Sequence, residues 1–431
     1  MTEQNFDVVV VGASLAGCTA ATLYARAGLK VALVDRNAEP QAYKQLCTHY
    51  IQASATPTLR RLGLAAQIEA AGGIRNAADM WTPWGWIYDP NLHDDHGELL
   101  HGYSIRRETL DPMVRNLALT TPGVAILFGC SVREIVQQDG RVVGIVGQHQ
   151  GAALTLRAPL VVAADGRNSK MAELANAPTT SSANIRGGVF ALYRNVALKR
   201  GTVSQMWFKG SHVAYVFPNE HAATVVAVMP PQHEMAQWRA NPRARIESYL
   251  KTLPDSPDLG SAELVGNIFH AKDYPNLSRP VVVDGMALIG DAAASMDPLY
   301  GVGCGWAFQT AEWLVDATAE ALTRHANLEV GLQAYAKRHA KQLGGHQFVI
   351  KDFSKRDHFN LIERLMFKAA TRNQASAQHV TRFGMRISSL PEFLAPRAIL
   401  RALWVNLFGG DRSRLVSDGA VAGHPRTHSS M

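Results

Sequence analysis

The sequence predicts an α/β fold in which a doubly wound unit is interrupted by a mainly antiparallel β domain and followed by a C-terminal helical extension. Three observations carry this expectation. Residues 6–35, FDVVVVGASLAGCTAATLYARAGLKVALVD, form a complete strand–helix–strand pattern. Residues 186–230 alternate in strand fashion through four successive segments. From Gly305 onward the pattern is almost entirely helical.

In the opening unit, Asp7 to Val11 is a valine-rich run of the kind that suits a buried parallel strand. It stops at Gly12-Ala-Ser14-Leu-Ala-Gly17. An alanine-rich helix follows from about Ala16 to Ala27, Gly28 breaks it, and Lys30 to Val34 is a second strand ending in Asp35. Gly12 allows the tight turn, and Gly17 lets the helix approach the strand. The free N–H groups at the helix start suit a pyrophosphate, with Asp35, and Arg36 beside it, at a ribose. The middle glycine of the fingerprint is Ser14, which crowds the phosphate slightly. The spacing of strand, helix and acid predicts a dinucleotide site.

Further along, residues 55–64 read as a helix with Pro57 in its first turn. Residues 74–103 read as an aromatic loop whose Trp81, Trp84 and Trp86 form either a substrate wall or packing for the loop itself. His93, Asp94, Asp95 and His96 cluster there without a further ligand pair, so no metal site is expected. Arg106 to Ala118 reads as a helix. Val124–Phe128, Val132–Gln137, Val142–Gly147 and Ala153–Arg157 read as successive strands of a small sheet, with a turn at Asp139-Gly140. Leu160–Ala164 is an apolar strand ending at Asp165-Gly166. Residues 242–252 look helical, and Val281–Ile289 returns to the first domain as a buried strand. The expected division is 1–75, 104–180 and 279–330 for one discontinuous domain, 76–103 for the aromatic insertion, 181–278 for the antiparallel-sheet domain and 331–431 for a basic helical region.

With 431 residues, 47% hydrophobic and 18% charged, the chain suits two or three packed units. The net charge of +7 is uneven: residues 331–431 hold 16 Lys+Arg against 6 Asp+Glu, whereas the first 330 residues are slightly acidic. That basic segment is either a solvated face or a surface for an acidic partner. No nucleic-acid motif accompanies it, so nucleic-acid binding is not expected. No uninterrupted apolar run reaches about 18 residues, so no transmembrane segment is expected. Cys18, Cys47, Cys130 and Cys304 show no CxxC pair. Reduced thiols and a cytoplasmic location fit best, and nothing in the residues before the first strand leads to an expectation of export.

Two more stretches narrow the dinucleotide signal: VVAADGRNS, 161–169, and ALIGDAAASMDPLYGVGCGWAFQTAEWL, 287–314. With the opening fingerprint they resemble the three motifs of the group A FAD-dependent monooxygenases, a superfamily of para-hydroxybenzoate-hydroxylase-like fold shared with flavin-dependent halogenases and geranylgeranyl-type reductases. The resemblance covers about residues 5–330. It implies a Rossmann-like FAD-binding domain with an inserted substrate domain. It also implies that Gly290-Asp291 meets the FAD ribitol or ribose, that Pro298 and the helix start Gly301-Val302-Gly303 lie beside the flavin pyrimidine and pyrophosphate, that Asp165-Gly166 packs behind the cofactor, and that Arg107 of an R-x-x-L-D helix start reaches the phosphate side. Ala172, Ala294, Gly305 and Thr310 depart from the phenol-hydroxylase pattern, and DPLYGVG looks closer to the halogenase and reductase branches.

The same resemblance places the loop after Asp35 at the flavin edge. His49, Tyr50 and Tyr300 are then the candidate catalytic groups, with Gln52 beside the cofactor. The implied reaction is hydroxylation of an electron-rich aromatic substrate, a phenol or indole, small or carried on a peptide or protein. O2 is the co-substrate, and electrons come from NAD(P)H or an external reductase. Halogenases of this superfamily use a lysine that has no counterpart here, since none occurs between Lys44 and Lys170. An isoprenoid reductase, a flavin-dependent halogenase and a non-catalytic flavoprotein are the other readings.

Overall fold

The computed structural model describes residues 2–89, 91–94 and 97–409. Six strands form the sheet behind the opening motif, in the order Val282–Val283, Met286–Leu288, Leu160–Ala163, Val8–Val11, Val31–Asp35 and Val124–Phe128. All but the first run parallel. The strands Val8–Val11 and Leu160–Ala163 are fully buried, as apolar runs covered on both faces must be. Helix α1 (Leu15–Arg26) and helix α2 (Arg107–Thr120) pack together beside this sheet. Val124–Phe128, expected in the small sheet, is instead its edge strand, paired with Val31–Asp35. The preceding helix returns the chain for a parallel crossover, which outweighs the local hairpin-like pattern. The small sheet keeps Ser131–Gln138, Arg141–His149 and Ala152–Arg157, and gains Thr2–Asn5.

The second large sheet has seven strands, in the order Glu263–Ala271, Gly188–Arg194, Ala223–Met229, His212–Pro218, Ser204–Lys209, Ala78–Thr82 and Gly85–Ile87. Every pairing is antiparallel except that of Ala78–Thr82 with Ser204–Lys209. The aromatic stretch read as loop therefore supplies two strands of this sheet. Alternation sorts its side chains. Trp81 and Trp86 join Trp207 on the face covered by Met235–Ala240 and Pro242–Leu250, with the Trp86 and Trp207 ring centroids 5.7 Å apart. Met80 turns to the opposite face, with Phe208, Tyr215 and Phe217. That face looks toward the first domain.

The remaining chain is helical: α3 (Gly303–Thr323), α4 (Leu328–Phe353), α5 (Leu361–Ala370), α6 (Gln374–Gly384) and α7 (Pro396–Phe408). Helix α7 sets Ala398, Ala402 and Val405 inward and packs on α5, with Asn406 Nδ2 donating to Leu365 O at 2.9 Å. Its outer face leaves Leu400, Trp404 and Leu407 exposed. Asp95, His96 and the tail after Val416 lie outside the described residues. Among the described residues, no helix is long and apolar enough to cross a membrane, and no group of three or more His, Cys, Asp or Glu could hold a metal ion.

Candidate functional site: a cofactor cleft opening onto an apolar cavity

A cleft runs from the end of the parallel sheet to the start of α3, where a second, apolar cavity meets it. Gly301 lines both. The outer end of the cleft is built by the first turn. Gly12 has a φ of +109°, and a Cβ there would lie 2.4 Å from Ala164 O. A Cβ on Gly17 would lie 1.8 Å from Gly12 O, so only glycine lets α1 approach this closely. Asp35 stands at the lip with its carboxylate fixed: Oδ2 accepts from Ala13 N–H at 2.6 Å and Oδ1 from Asn37 N–H at 2.7 Å.

Deeper in, Arg107 opens α2 and is 4% exposed. Its Nε and Nη2 donate to the Asp111 carboxylate at 2.5 and 3.0 Å, and Nη2 also donates to Ser14 Oγ at 3.1 Å. A guanidinium is thus held against the N-terminus of α1, adding fixed charge to the positive end of the helix. Across the cleft, Lys44 Nζ meets Asp291 Oδ2 at 3.1 Å. That carboxylate holds the ammonium above its ordinary range. Lys44 also donates its backbone N–H to Asp111 Oδ2 at 3.0 Å.

At the inner end, Asp297 Oδ1 accepts from Leu299 N–H at 3.0 Å, Gly301 turns with a φ of +57°, and α3 begins at Gly303. The unpaired N–H groups of that first turn lie at the junction with the apolar cavity. Gln52 Nε2 donates to Tyr300 O at 2.8 Å and ties the 46–52 loop to this corner. The cavity is ≈ 220 Å³. Met80, Met206, Phe208 and Phe217 wall it from the sheet. Phe359, Phe367, Phe383 and Phe393 wall it from the C-terminal region. Tyr50, Gln52 and Tyr300 line the end that meets Gly301. Burial pushes the Tyr50 and Tyr300 hydroxyls above their ordinary range, so both remain protonated at neutral pH.

Residues 5–343 match the FAD binding domain family. The chain belongs to that family. It fits the group A flavoprotein monooxygenase superfamily. It is similar to digeranylgeranylglycerophospholipid reductase 1 of Methanococcoides burtonii, 25% identical over 344 residues, covering 78% of this chain and 80% of that one. It is similar to kynurenine 3-monooxygenase of Salinispora arenicola, 27% identical over 399 residues, covering 85% and 82%. In fold it resembles the flavin-dependent brominase Bmp2, with a TM-score of 0.75 at 20% identity over 93% of this chain and 98% of that one.

FAD fits the cleft. Gly12 and Gly17 let the first turn and α1 close tightly at its outer end, a buried guanidinium faces the first helix start, and Trp306, on the wall, has a buried Nε1 with no partner among the described residues. Of the residues expected from sequence, Gly12, Ser14, Asp35, Arg36, Asp165 and Gly166 line the outer end. Arg107, Asp291, Pro298, Gly301, Val302 and Gly303 line the inner part. Gly17 and Gly290 sit behind it: Gly290 donates its N–H to Thr310 Oγ1 at 3.0 Å, and a Cβ on it would lie 3.1 Å from Ala16 Cβ. Asp165 is committed within the chain, accepting from Ser169 Oγ at 2.6 Å and Met171 N–H at 3.0 Å.

Tyr50, Gln52 and Tyr300 come together at the junction. His49 is not among the residues lining the cleft or the cavity. Its backbone φ is +55°, and its Nδ1 accepts from Arg107 N–H at 2.8 Å, so it caps α2. Burial lowers its pKa, in keeping with a neutral ring that accepts at Nδ1. Trp81, Trp84 and Trp86 do not line the cavity either. Lys44, Trp306, Met206, Phe208 and Arg386 were not expected. Lys44 had a signal, three residues before Cys47 in the loop placed at the flavin edge. Arg386 had none, because its position depends on how the C-terminal helices fold back.

Proposed function

We propose that this FAD-dependent oxidoreductase is a monooxygenase that inserts one oxygen atom into an electron-rich aromatic ring, a phenol or indole, free or carried on a peptide or protein. The supporting observation is the shared Gly301, through which an apolar cavity opens directly onto the cofactor cleft. Bound FAD, reduced by NAD(P)H or by a separate reductase, supplies the activation of O2. Asp35 and Arg36 hold the ribose end. Ser14, Arg107 and the start of α1 hold the pyrophosphate, and Asp291, with Lys44 against it, faces the ribityl chain. The start of α3 places positive potential beside the flavin pyrimidine, where reduction accumulates negative charge.

Phe208, Phe217 and the phenylalanines of the C-terminal region exclude water from a ring held at Gly301. Tyr50 and Tyr300, protonated at neutral pH, donate to the polar atom of that ring and orient it. His49 acts as a positioning group, keeping α2 and its Arg107 in register with the cleft. A second reading is reduction of an isoprenoid chain. It is favoured by the apolar lining continuing outward to the exposed Phe348 and Ile362. Incubation of holoenzyme with NAD(P)H, ¹⁸O2 and a panel of phenols, indoles and tryptophan peptides decides between them by mass spectrometry. An ¹⁸O-labelled product, independent of added halide, supports oxygenation. Anaerobic saturation of a geranylgeranyl lipid, with no labelled product, replaces it by reduction.

A further inference from the structure

The end of α6 contains an arginine where the backbone asks for glycine. Ile387 N–H donates to Arg382 O at 3.0 Å and Arg386 N–H to Phe383 O at 3.1 Å, the two crossed bonds that close a helix through a left-handed residue. That left-handed residue is Arg386, with a φ of +63°. Glycine takes this position without steric cost, whereas a long side chain does not. Arg386 lines the apolar cavity, with its guanidinium 5.1 Å from the centre of the Tyr300 ring.

The charge there has no counter-ion. Arg386 forms no ion pair among the described residues. Its Nη1 meets His346 Nδ1 at 3.2 Å, and its buried Nε has no partner. His346 is itself buried and held neutral, so it accepts from the guanidinium without balancing its charge. The carboxylates on the cavity wall are already taken. Glu363 accepts from Arg356 at 2.9 and 3.0 Å and from Asn360 N–H at 2.8 Å, and Asp352 accepts from the same arginine. Burial lowers the pKa of Arg386 to about 10, which leaves it charged at neutral pH. A half-buried cation with a shielded, unpartnered Nε and no anion is unfavourable in an apolar site, and so is a left-handed arginine. Both penalties fall on one residue, and one function accounts for both.

We propose that Arg386 is the receptor for an anionic group on the substrate, a carboxylate or a phosphate monoester, while the apolar body of the substrate lies between the sheet wall and Gly301. The inference rests on the apolar cavity being the substrate site, whichever reaction takes place there. It assigns a specificity-determining residue outside residues 5–343, the part of the chain that matches the family.

The test titrates FAD-loaded enzyme with three probes of one shape, 4-phenylbutanol, 4-phenylbutanoate and 4-phenylbutyl phosphate, following the visible spectrum of the flavin. At least one anion is expected to bind at least about tenfold more tightly than the alcohol. Which anion does so identifies the head group. Arg386→Met removes that preference while leaving alcohol binding within about twofold. Arg386→Gly also removes it, and because glycine suits the backbone and the unpaired charge is gone, the variant melts no lower than the parent. Equal binding of alcohol and anions by the parent overturns the proposal and leaves the cavity assignment standing. An anion preference that survives in both variants does the same. A large drop in melting temperature for Arg386→Gly shows a structural role for the guanidinium and also overturns the proposal. If none of the probes perturbs the flavin, the cavity assignment fails and the proposal fails with it.

Discussion

Removing the Arg107 guanidinium separates two roles that the fold has merged. Arg107 is 4% exposed and Asp111 3% exposed, and they share a two-pronged contact of 2.5 and 3.0 Å. In Arg107→Met the aliphatic stem is replaced but the Asp111 carboxylate stays buried without its cation. Its remaining donor is the Lys44 backbone N–H at 3.0 Å. Breaking a buried pair in this way costs about 3–5 kcal/mol. At roughly 2 °C per kcal/mol for a chain of this size, the apoprotein should melt about 6–10 °C lower. The double variant Arg107→Met/Asp111→Leu removes both charges. It should recover most of that loss, short of the roughly 1 kcal/mol of the Lys44 N–H bond that it also forfeits.

Cofactor affinity should behave differently. Arg107 reaches Ser14 Oγ at the start of α1, and a charge-assisted bond from there to a phosphate is worth about 1.5–3 kcal/mol, or roughly a 10- to 150-fold change in FAD affinity. The loss should appear equally in the single and double variants. The assay is thermal unfolding of the apoprotein by circular dichroism, paired with titration of FAD by fluorescence quenching. Recovery of FAD affinity together with stability in the double variant would refute the reasoning, because the guanidinium would then serve the fold alone.

Four further outcomes follow from the same geometry. Acid release from purified protein should yield FAD and not FMN, because Gly12 and Asp35 address the adenosine half; chromatography of the released flavin checks this. Gly12→Ala should abolish FAD retention, since its Cβ would lie 2.4 Å from Ala164 O at a φ of +109°, and flavin-to-protein absorbance ratios measure it. Asp291→Ala should lose flavin or turnover while staying folded, because it frees a partly exposed Lys44 and leaves no buried charge; full occupancy and turnover would contradict the role given to it. Buried His339 and His346 are lowered to about 4 and about 3 by burial, while the unfolded chain takes up their protons near 6.5. Stability present above about pH 6.5 should therefore be lost as the pH falls through that value toward about 4, and His339→Gln should flatten the decline in urea midpoints.

The parts of the site that the sequence discloses are those built by residues near one another in the chain. Gly12, Ser14, Gly17 and Asp35 act through one turn and one strand end, so their spacing alone carries the geometry. The wall of the apolar cavity is assembled from strands more than a hundred residues apart, and there only face assignment matters. In Ala78–Thr82 the tryptophan draws attention, yet alternation sends Trp81 to the far side and Met80 to the cavity. That alternation is present in the sequence, but it becomes informative only once the segment is known to pair with Ser204–Lys209. Val124–Phe128 shows the converse limit, since identical strand propensity serves a hairpin or a crossover equally well. Arg386 lies furthest from view. Gly384 is the natural stop for α6 by composition, and it would place the left-handed residue two positions too early. Helix α6 runs through it, Met385 caps the end, and the left-handed position falls on Arg386. A glycine passed over and an arginine strained in its place mark a residue held for what it contacts, and that inference needs the helix end located to the residue.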